Sequence, residues 1–179
     1  MLKNIKVNFE TIELLQFFWE TVAKGDKISD SYIMDIVNKP EMQAIYTEGF
    51  DTQSARKVLS AVMNKEVLND ATDKEKEFFQ YNMFNADDPG NVEMMLPPVK
   101  LLNFDDLKAE YKEESDIEDL QVNVVPSYDM VSRIDGHSLT LNFFKIEADW
   151  SDMDHVFVEG KILKDYIEDR LREIMDQAR

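Results

Sequence analysis

The spacing of the apolar residues changes near the pair Pro97-Pro98, and this change constrains the fold more than any other feature of the chain. Before the prolines, apolar residues recur at intervals of three and four, which is typical of amphipathic helices. After them comes a stretch of strict alternation, which is typical of a strand with one buried face. We therefore expect an α+β fold, in which an N-terminal helical bundle is followed by a small antiparallel sheet with flanking helices.

The helical pattern is clearest in residues 52–65, where one apolar stripe faces a core. Its members lie at i, i+3, i+4, i+7 and i+8: Ala55, Val58, Leu59, Val62 and Met63. Thr72, followed three residues later by Glu75, is a capping-box pattern that predicts the start of another helix. Further helices are predicted at 9–23, between Ser29 or Ser31 and Pro40, after Pro40, at 104–114 and at 161–178.

The strand pattern is clearest in residues 137–146, where apolar and polar side chains alternate. The apolar positions are Leu139, Leu141 and Phe143, and the polar positions between them are Thr140 and Asn142. Asp135-Gly136, just before this stretch, is a hairpin signal. Two more strands are predicted at 121–128 and 155–159.

The charge distribution supports a division near the two prolines. Residues 1–90 hold 10 basic and 16 acidic residues, and residues 91–179 hold 10 basic and 21 acidic residues. A proline cannot continue a helix and favours extended geometry in the residue before it. The sequence therefore predicts a helical lobe at 1–96 and an α+β lobe at 99–179, with one continuous domain as the alternative.

The net charge of −17 restricts the partners that the protein can have. Phosphate backbones and anionic lipids repel such a surface, so we expect no direct nucleic-acid binding and no membrane binding. A basic protein surface or a cation is the natural complement. The simpler explanation is that the acidic residues keep the protein dissolved.

The sequence lacks the patterns of the common catalytic sites. It has no Cys, and its five Gly residues form no phosphate-binding loop. Neither an HExxH helix nor a Gly-x-Ser-x-Gly elbow is present. These absences favour a non-enzymatic protein without a cofactor. Because we find neither an apolar run of membrane-spanning length nor a secretory signal pattern, we expect the protein to be cytoplasmic.

One acidic cluster lies in the segment predicted as the helix 104–114 and just beyond it. The candidates for binding a basic partner are Asp105, Asp106, Glu110, Glu113, Glu114 and Asp116. Helical spacing places several of these carboxylates on one face, where like charges cost a few tenths of a kcal/mol per pair. A solvated face is the ordinary interpretation, and a docking stripe is the functional one.

A second acidic cluster lies in a predicted loop, where several oxygens could bind a hard cation such as calcium or magnesium. Its candidate metal ligands are Glu147, Asp149, Asp152 and Asp154. The spacing does not match the EF-hand pattern. The ordinary interpretation is a solvated loop, and the alternative is a cation site or a metal-dependent hydrolase.

Adjacent aromatic residues indicate a second apolar surface, because a helix cannot bury neighbouring side chains on one stripe. Phe17 and Phe79 are the candidates for such a surface. The ordinary interpretation is packing between the two lobes, and the alternative is contact with a partner or with another copy of the chain. The leading hypothesis is an acidic protein-binding module, such as an inhibitor or immunity-type partner of a basic protein. A homo-oligomeric structural subunit is the remaining alternative.

Overall fold

The structure, a computed structural model, describes residues 1–112 and 115–178. These residues form a mixed α+β fold with seven α-helices and two sheets. Backbone contacts divide the chain into two compact units. The helical unit comprises residues 10–94 and 125–129, and the mixed unit comprises residues 1–9, 95–124 and those from 130 onward. The predicted lobes 1–96 and 99–179, and the bundle arrangement of the first lobe, stay predictions.

The helical unit is built from four α-helices and one 3-10 helix. They are α1 (Glu10–Ala23), α2 (Asp30–Val37), the 3-10 helix Pro40–Ile45, α3 (Thr52–Asn64) and α4 (Asp73–Asp87). Four aromatic side chains without solvent exposure form the centre of its core: Phe18, Trp19, Phe50 and Phe78. The rings of Phe50 and Phe78 meet edge to face, with centroids 5.1 Å apart.

Local capping interactions fix both ends of α3 and the start of α4. The side chain of Asp51 accepts a hydrogen bond from the Ser54 N–H, and Lys65 closes α3 in the left-handed conformation. At the start of α4, Thr72 and Glu75 form both hydrogen bonds of the capping box. The predicted helix at 52–65 and the predicted capping box are therefore confirmed.

The proline pair does not end a helix, which corrects the sequence-based expectation. Helix α5 (Gly90–Lys100) contains both Pro97 and Pro98. The helix persists because a buried stripe at helical spacing holds it, and packing overrides the intrinsic cost of proline. This stripe consists of Val92, Met95, Leu96 and Val99.

The larger sheet of the mixed unit contains four strands in the order β1-β2-β4-β3. They are β1 (Asn4–Asn8), β2 (Asp119–Val125), β3 (Ser132–Asp135) and β4 (Ser138–Asn142). The expectation of a purely antiparallel sheet is wrong here, because β1 pairs with β2 in parallel. A five-residue strand whose partner lies more than a hundred residues away has too weak a local pattern to be recognised in the sequence.

The hairpin signal at Asp135-Gly136 marks a turn that follows β3, a strand that the sequence analysis did not predict. Gly136 and His137 form a two-residue loop between β3 and β4, and Gly136 has the positive φ of 60° that such turns require. The predicted strand 137–146 ends early, at Asn142, whose buried side chain accepts a hydrogen bond from the Phe144 N–H. A 3-10 turn follows.

The smaller sheet contains three antiparallel strands, β5 (Glu147–Asp149), β6 (Asp152–Val158) and β7 (Lys161–Ile162). The mixed unit also contains the short helix α6 (Asp105–Glu110) and the long helix α7 (Leu163–Gln177). Buried side chains of α7 include Ile167 and Leu171, at the i, i+4 spacing of a core-facing stripe. None of the described helices has the length and the hydropathy needed to cross a membrane.

Candidate functional site

Basic side chains from α6 and α7 lie beside the acidic cluster on α6. Lys108 lies 2.9 Å from Asp105, and Lys164 of α7 lies 3.8 Å from Asp106. Arg172 of α7 makes a two-pronged contact with Glu110, with N–O distances of 2.9 and 3.0 Å. Because each of these three carboxylates has a basic neighbour, the cluster presents less free negative charge than its sequence suggests.

Helix α6 is shorter than the helix that the sequence predicted at 104–114. Helix α6 ends at Glu110, four residues before the predicted end. Asp116 is exposed in a bend beyond the helix. Glu113 and Glu114, the other two candidates, lie outside the described residues.

Arg172 is the centre of a charge network on α7. Besides Glu110, it contacts Asp169 at 3.1 Å and Glu168 at 3.6 Å. The hydrogen bond from Arg172 lowers the pKa of Glu110. By contrast, burial raises the pKa of Glu168, in spite of the nearby charges of Lys164 and Arg172. This network ties α6 to α7 and has the features of a structural element.

The two aromatic candidates occupy different places in the helical unit. Phe17 on α1 is 55% exposed, and its ring lies 5.5 Å from that of Tyr32. Phe79 on α4 is half-buried. It lines a groove of about 460 Å³ together with Val67, Leu68 and Met83. Whether either aromatic side chain binds a partner stays a prediction.

The second acidic cluster lies on a β-hairpin, where the sequence predicted a loop. Strands β5 and β6 pair, and Trp150 and Ser151 form the turn between them. Asp149 accepts hydrogen bonds from the Ser151 N–H at 2.9 Å and from the Ser151 hydroxyl at 2.7 Å. These bonds lower the pKa of Asp149, so its carboxylate remains ionised at the turn.

The four candidate metal ligands of this hairpin, Glu147, Asp149, Asp152 and Asp154, do not converge. Within the described parts of the chain, no three His, Asp or Glu side chains are grouped so as to hold a metal ion. Asp152 contacts His155 instead, with 2.8 Å between its Oδ2 and the histidine Nδ1. The geometry gives the cation hypothesis no support, and that hypothesis stays a prediction.

An exposed tryptophan at the tip of the hairpin was missed in the sequence analysis. The side chain of Trp150 is 85% exposed, and that of Met153 is 54% exposed. The signal was present in the sequence, because Trp150 stands between acidic residues in a segment without a continuous apolar stripe. Residues 147–159 contain five acidic residues and no Lys or Arg. We call Trp150, Met153 and the carboxylates of Glu147, Asp149, Asp152 and Asp154 the acidic hairpin.

A pocket of about 230 Å³ lies beside β6 in the mixed unit. Its apolar lining is formed by Pro98, Leu101, Leu102, Val156, Ile162 and Leu163. Asn103, Asp154, His155 and Lys164 supply its polar lining. Asp154 thus belongs both to the acidic hairpin and to the pocket.

No family model, curated protein or solved structure matches this chain.

Proposed function

We propose that this protein is a non-enzymatic binding module that recognises a basic surface of another protein through the acidic hairpin. An inhibitor or immunity-type partner of a basic protein fits this role. In this proposal the protein acts in the cytoplasm, and the helices of residues 10–94 form a bundle that serves as a scaffold. The observation that carries the proposal is the exposure of Trp150 within a segment, 147–159, that has no Lys or Arg.

The exposed indole is the feature that a solubility role does not explain. A surface that only keeps a protein dissolved has few exposed large apolar side chains. Tryptophan is enriched among the residues that dominate binding energy at interfaces, because its large rigid ring loses little entropy on burial. Its face also attracts Lys and Arg side chains. Trp150 is therefore suited to anchor a basic partner.

The carboxylates around Trp150 also favour a basic partner. Asp149 and Asp152 are directly paired across β5 and β6, and like charges in that position destabilise a hairpin. An approaching Lys or Arg side chain relieves this repulsion. The α6 cluster offers a weaker attraction because Lys108, Lys164 and Arg172 already lie beside its carboxylates. Long-range attraction of this kind accelerates association and weakens with salt.

The experiment uses N-acetylated octa-arginine as a probe and measures its affinity by calorimetry at low and high salt. Trp150→Ala should weaken binding about tenfold, as the loss of an interface anchor does. Replacement of Asp149, Asp152 and Asp154 by Asn should weaken binding and reduce its salt dependence. The matched control replaces three exposed aspartates of the helical unit, Asp26, Asp35 and Asp87, by Asn.

The control decides between a local and a general effect of charge. Both triple variants remove three negative charges, so equal losses of affinity would mean that only the net charge attracts the probe. A loss confined to the hairpin variant supports the proposal. Unchanged binding by Trp150→Ala would remove the tryptophan from the interface.

The two alternative functions, a cation-binding protein and a homo-oligomeric subunit, have separate tests. A cation site would raise the melting temperature in millimolar Ca²⁺ or Mg²⁺, because a ligand that prefers the native state stabilises it. A homo-oligomeric subunit would show a mass above that of one chain in light scattering, and Phe17→Ser or Phe79→Ser would lower that mass.

A further inference from the structure

We infer that the 230 Å³ pocket beside β6 receives one apolar side chain of the basic partner, next to the residues that contact the acidic hairpin. This inference rests on the proposed function and adds a second element to the recognised segment. The partner would carry Lys or Arg residues for the hairpin and one Leu-sized or Phe-sized side chain for the pocket.

The size and lining of the pocket favour a single apolar side chain. Binding sites for small molecules usually have volumes of about 300–1,000 Å³, and this pocket is smaller. Six of its lining residues are apolar. Val156 and Leu163, which are 5% and 2% exposed, are held by the core of the mixed unit. Insertion of an apolar side chain removes apolar surface on both partners from water.

The polar residues at the pocket favour an occupant in a basic segment over an anionic ligand. Lys164 is the only Lys or Arg among the lining residues that the structure describes. Its ammonium lies 3.8 Å from carboxylate oxygens of both Asp106 and Glu168, which offset its charge. Asp154 has no ion pair with a described residue and lines the same pocket. Together with the other carboxylates of the acidic hairpin, Asp154 attracts cations to this face.

Strand β6 connects Trp150 to the pocket and sets the distance between them. Trp150 lies in the turn just before β6, which begins at Asp152. Asp154, His155 and Val156 of β6 line the pocket. An extended chain advances about 3.3 Å per residue. A partner segment running along β6 therefore places its apolar residue about four to six positions from the Lys or Arg residue that contacts Trp150.

The experiment compares four peptides, each made of hepta-arginine with one extra residue at one end. Two of them carry Leu, at the N-terminus or at the C-terminus, and the other two carry Ala in the same places. Because the four peptides have equal charge, a difference in affinity between Leu and Ala reports the apolar contact alone. We expect the better Leu peptide to bind about fivefold more tightly than its Ala counterpart.

Leu101→Gln is the variant that tests the pocket, because Leu101 lines it and is 80% exposed, so its replacement leaves the core unchanged. Val67→Gln is the matched control, since Val67 is 81% exposed and lies in the helical unit. Leu101→Gln should reduce the preference for Leu to less than twofold, whereas Val67→Gln should retain it. Methyl NMR signals of Val156, Ile162 and Leu163 should shift with the Leu peptides only.

The possible outcomes separate this inference from the proposed function. If all four peptides bind with the same affinity and Trp150→Ala weakens all of them, the hairpin proposal stands and the pocket inference is wrong. A preference for Leu that persists in Leu101→Gln, without shifts of the pocket methyl signals, also overturns the inference. If no peptide binds the wild-type protein, both fail.

Discussion

Trp19 and Asn82 join helices α1 and α4 through a hydrogen bond that has no access to solvent. The indole Nε1 donates to the Asn82 Oδ1 at 3.0 Å, and both side chains are fully buried. The amide Nδ2 of Asn82 in turn donates to the Phe78 carbonyl oxygen at 2.8 Å. Asn82 therefore satisfies a polar atom of the largest core side chain and orients it within the helical unit.

Asn82→Ala should lower the free energy of unfolding by about 2–3 kcal/mol, because it removes the acceptor of a buried N–H and leaves a small cavity. Chemical denaturation followed by circular dichroism measures this loss. Asn64→Ala is the control, since Asn64 is exposed and its hydrogen bond to Lys27 lies at the surface. Equal effects of the two substitutions would show that the buried bond contributes nothing.

Thr72→Ala should destabilise the protein by about 1 kcal/mol, because the capping box then leaves an N-terminal N–H of α4 without its side-chain acceptor. Thr21→Ala is a matched control inside α1, where the hydroxyl only donates to the Phe17 carbonyl oxygen. There the change should be neutral or slightly stabilising, because Ala is the better helix former. Thermal denaturation of both variants measures the difference, and a loss of the same size in both would contradict the capping explanation.

Glu168→Gln should change the pH dependence of stability. The pKa of Glu168 is raised by burial, so the folded state holds its proton more tightly than the unfolded state. The stability from this group is complete below its ordinary pKa of 4.5 and is lost as the pH rises through the folded-state pKa. The stability of the variant relative to the wild type should therefore increase as the pH rises above 4.5.

Urea denaturation at a series of pH values measures this gain. Glu93→Gln, at an exposed position on α5, is the control and should follow the wild-type curve. A Glu168→Gln curve that runs parallel to the wild-type curve would show that burial of Glu168 does not affect its ionisation.

The two tryptophans give a test of the acidic hairpin that needs no partner. The chain has two Trp residues, of which Trp19 is fully buried and Trp150 is 85% exposed. Ionic quenchers therefore report mainly on Trp150. Relative to N-acetyltryptophanamide, caesium should quench its fluorescence at least twofold more efficiently than iodide does, because the nearby carboxylates attract cations.

Salt and charge removal provide the controls for this measurement. In about 1 M salt the Debye length falls to about 3 Å, and the difference between the two quenchers should nearly disappear. The Asn variant of Asp149, Asp152 and Asp154 should reduce the difference at low salt, whereas that of Asp26, Asp35 and Asp87 should not. Equal quenching by caesium and iodide in the wild type would contradict a locally negative field.

The features that the sequence predicted correctly are those with local causes. The stripe of α3, the capping box of Thr72 and the end of α2 before Pro40 depend on residues a few positions apart. The features that it missed depend on distant partners or on burial. Helix α5 passes through Pro97-Pro98 because its apolar stripe is buried, and local propensity contains no information about that burial.

The candidate site shows the same contrast between features with local causes and features that depend on distant residues. The density of acidic residues was visible in the sequence, but the neutralisation of Glu110 was not, because Arg172 is 62 residues away from it. The exposure of Trp150 at a hairpin tip was also missed, since the local pattern of this segment indicates only a loop. Only the pairing of β5 with β6 places this side chain at a hairpin tip.

The parallel pairing of β1 with β2 affects how the chain folds during its synthesis. Asn4 is paired with Asp119, so β1 leaves the ribosome without its partner strand, which follows only after more than a hundred further residues have been translated. At about 5–20 residues per second, this delay lasts for several seconds at least. Residues 10–94 have been translated before then, so most of the helical unit can fold while β1 still lacks its partner strand β2.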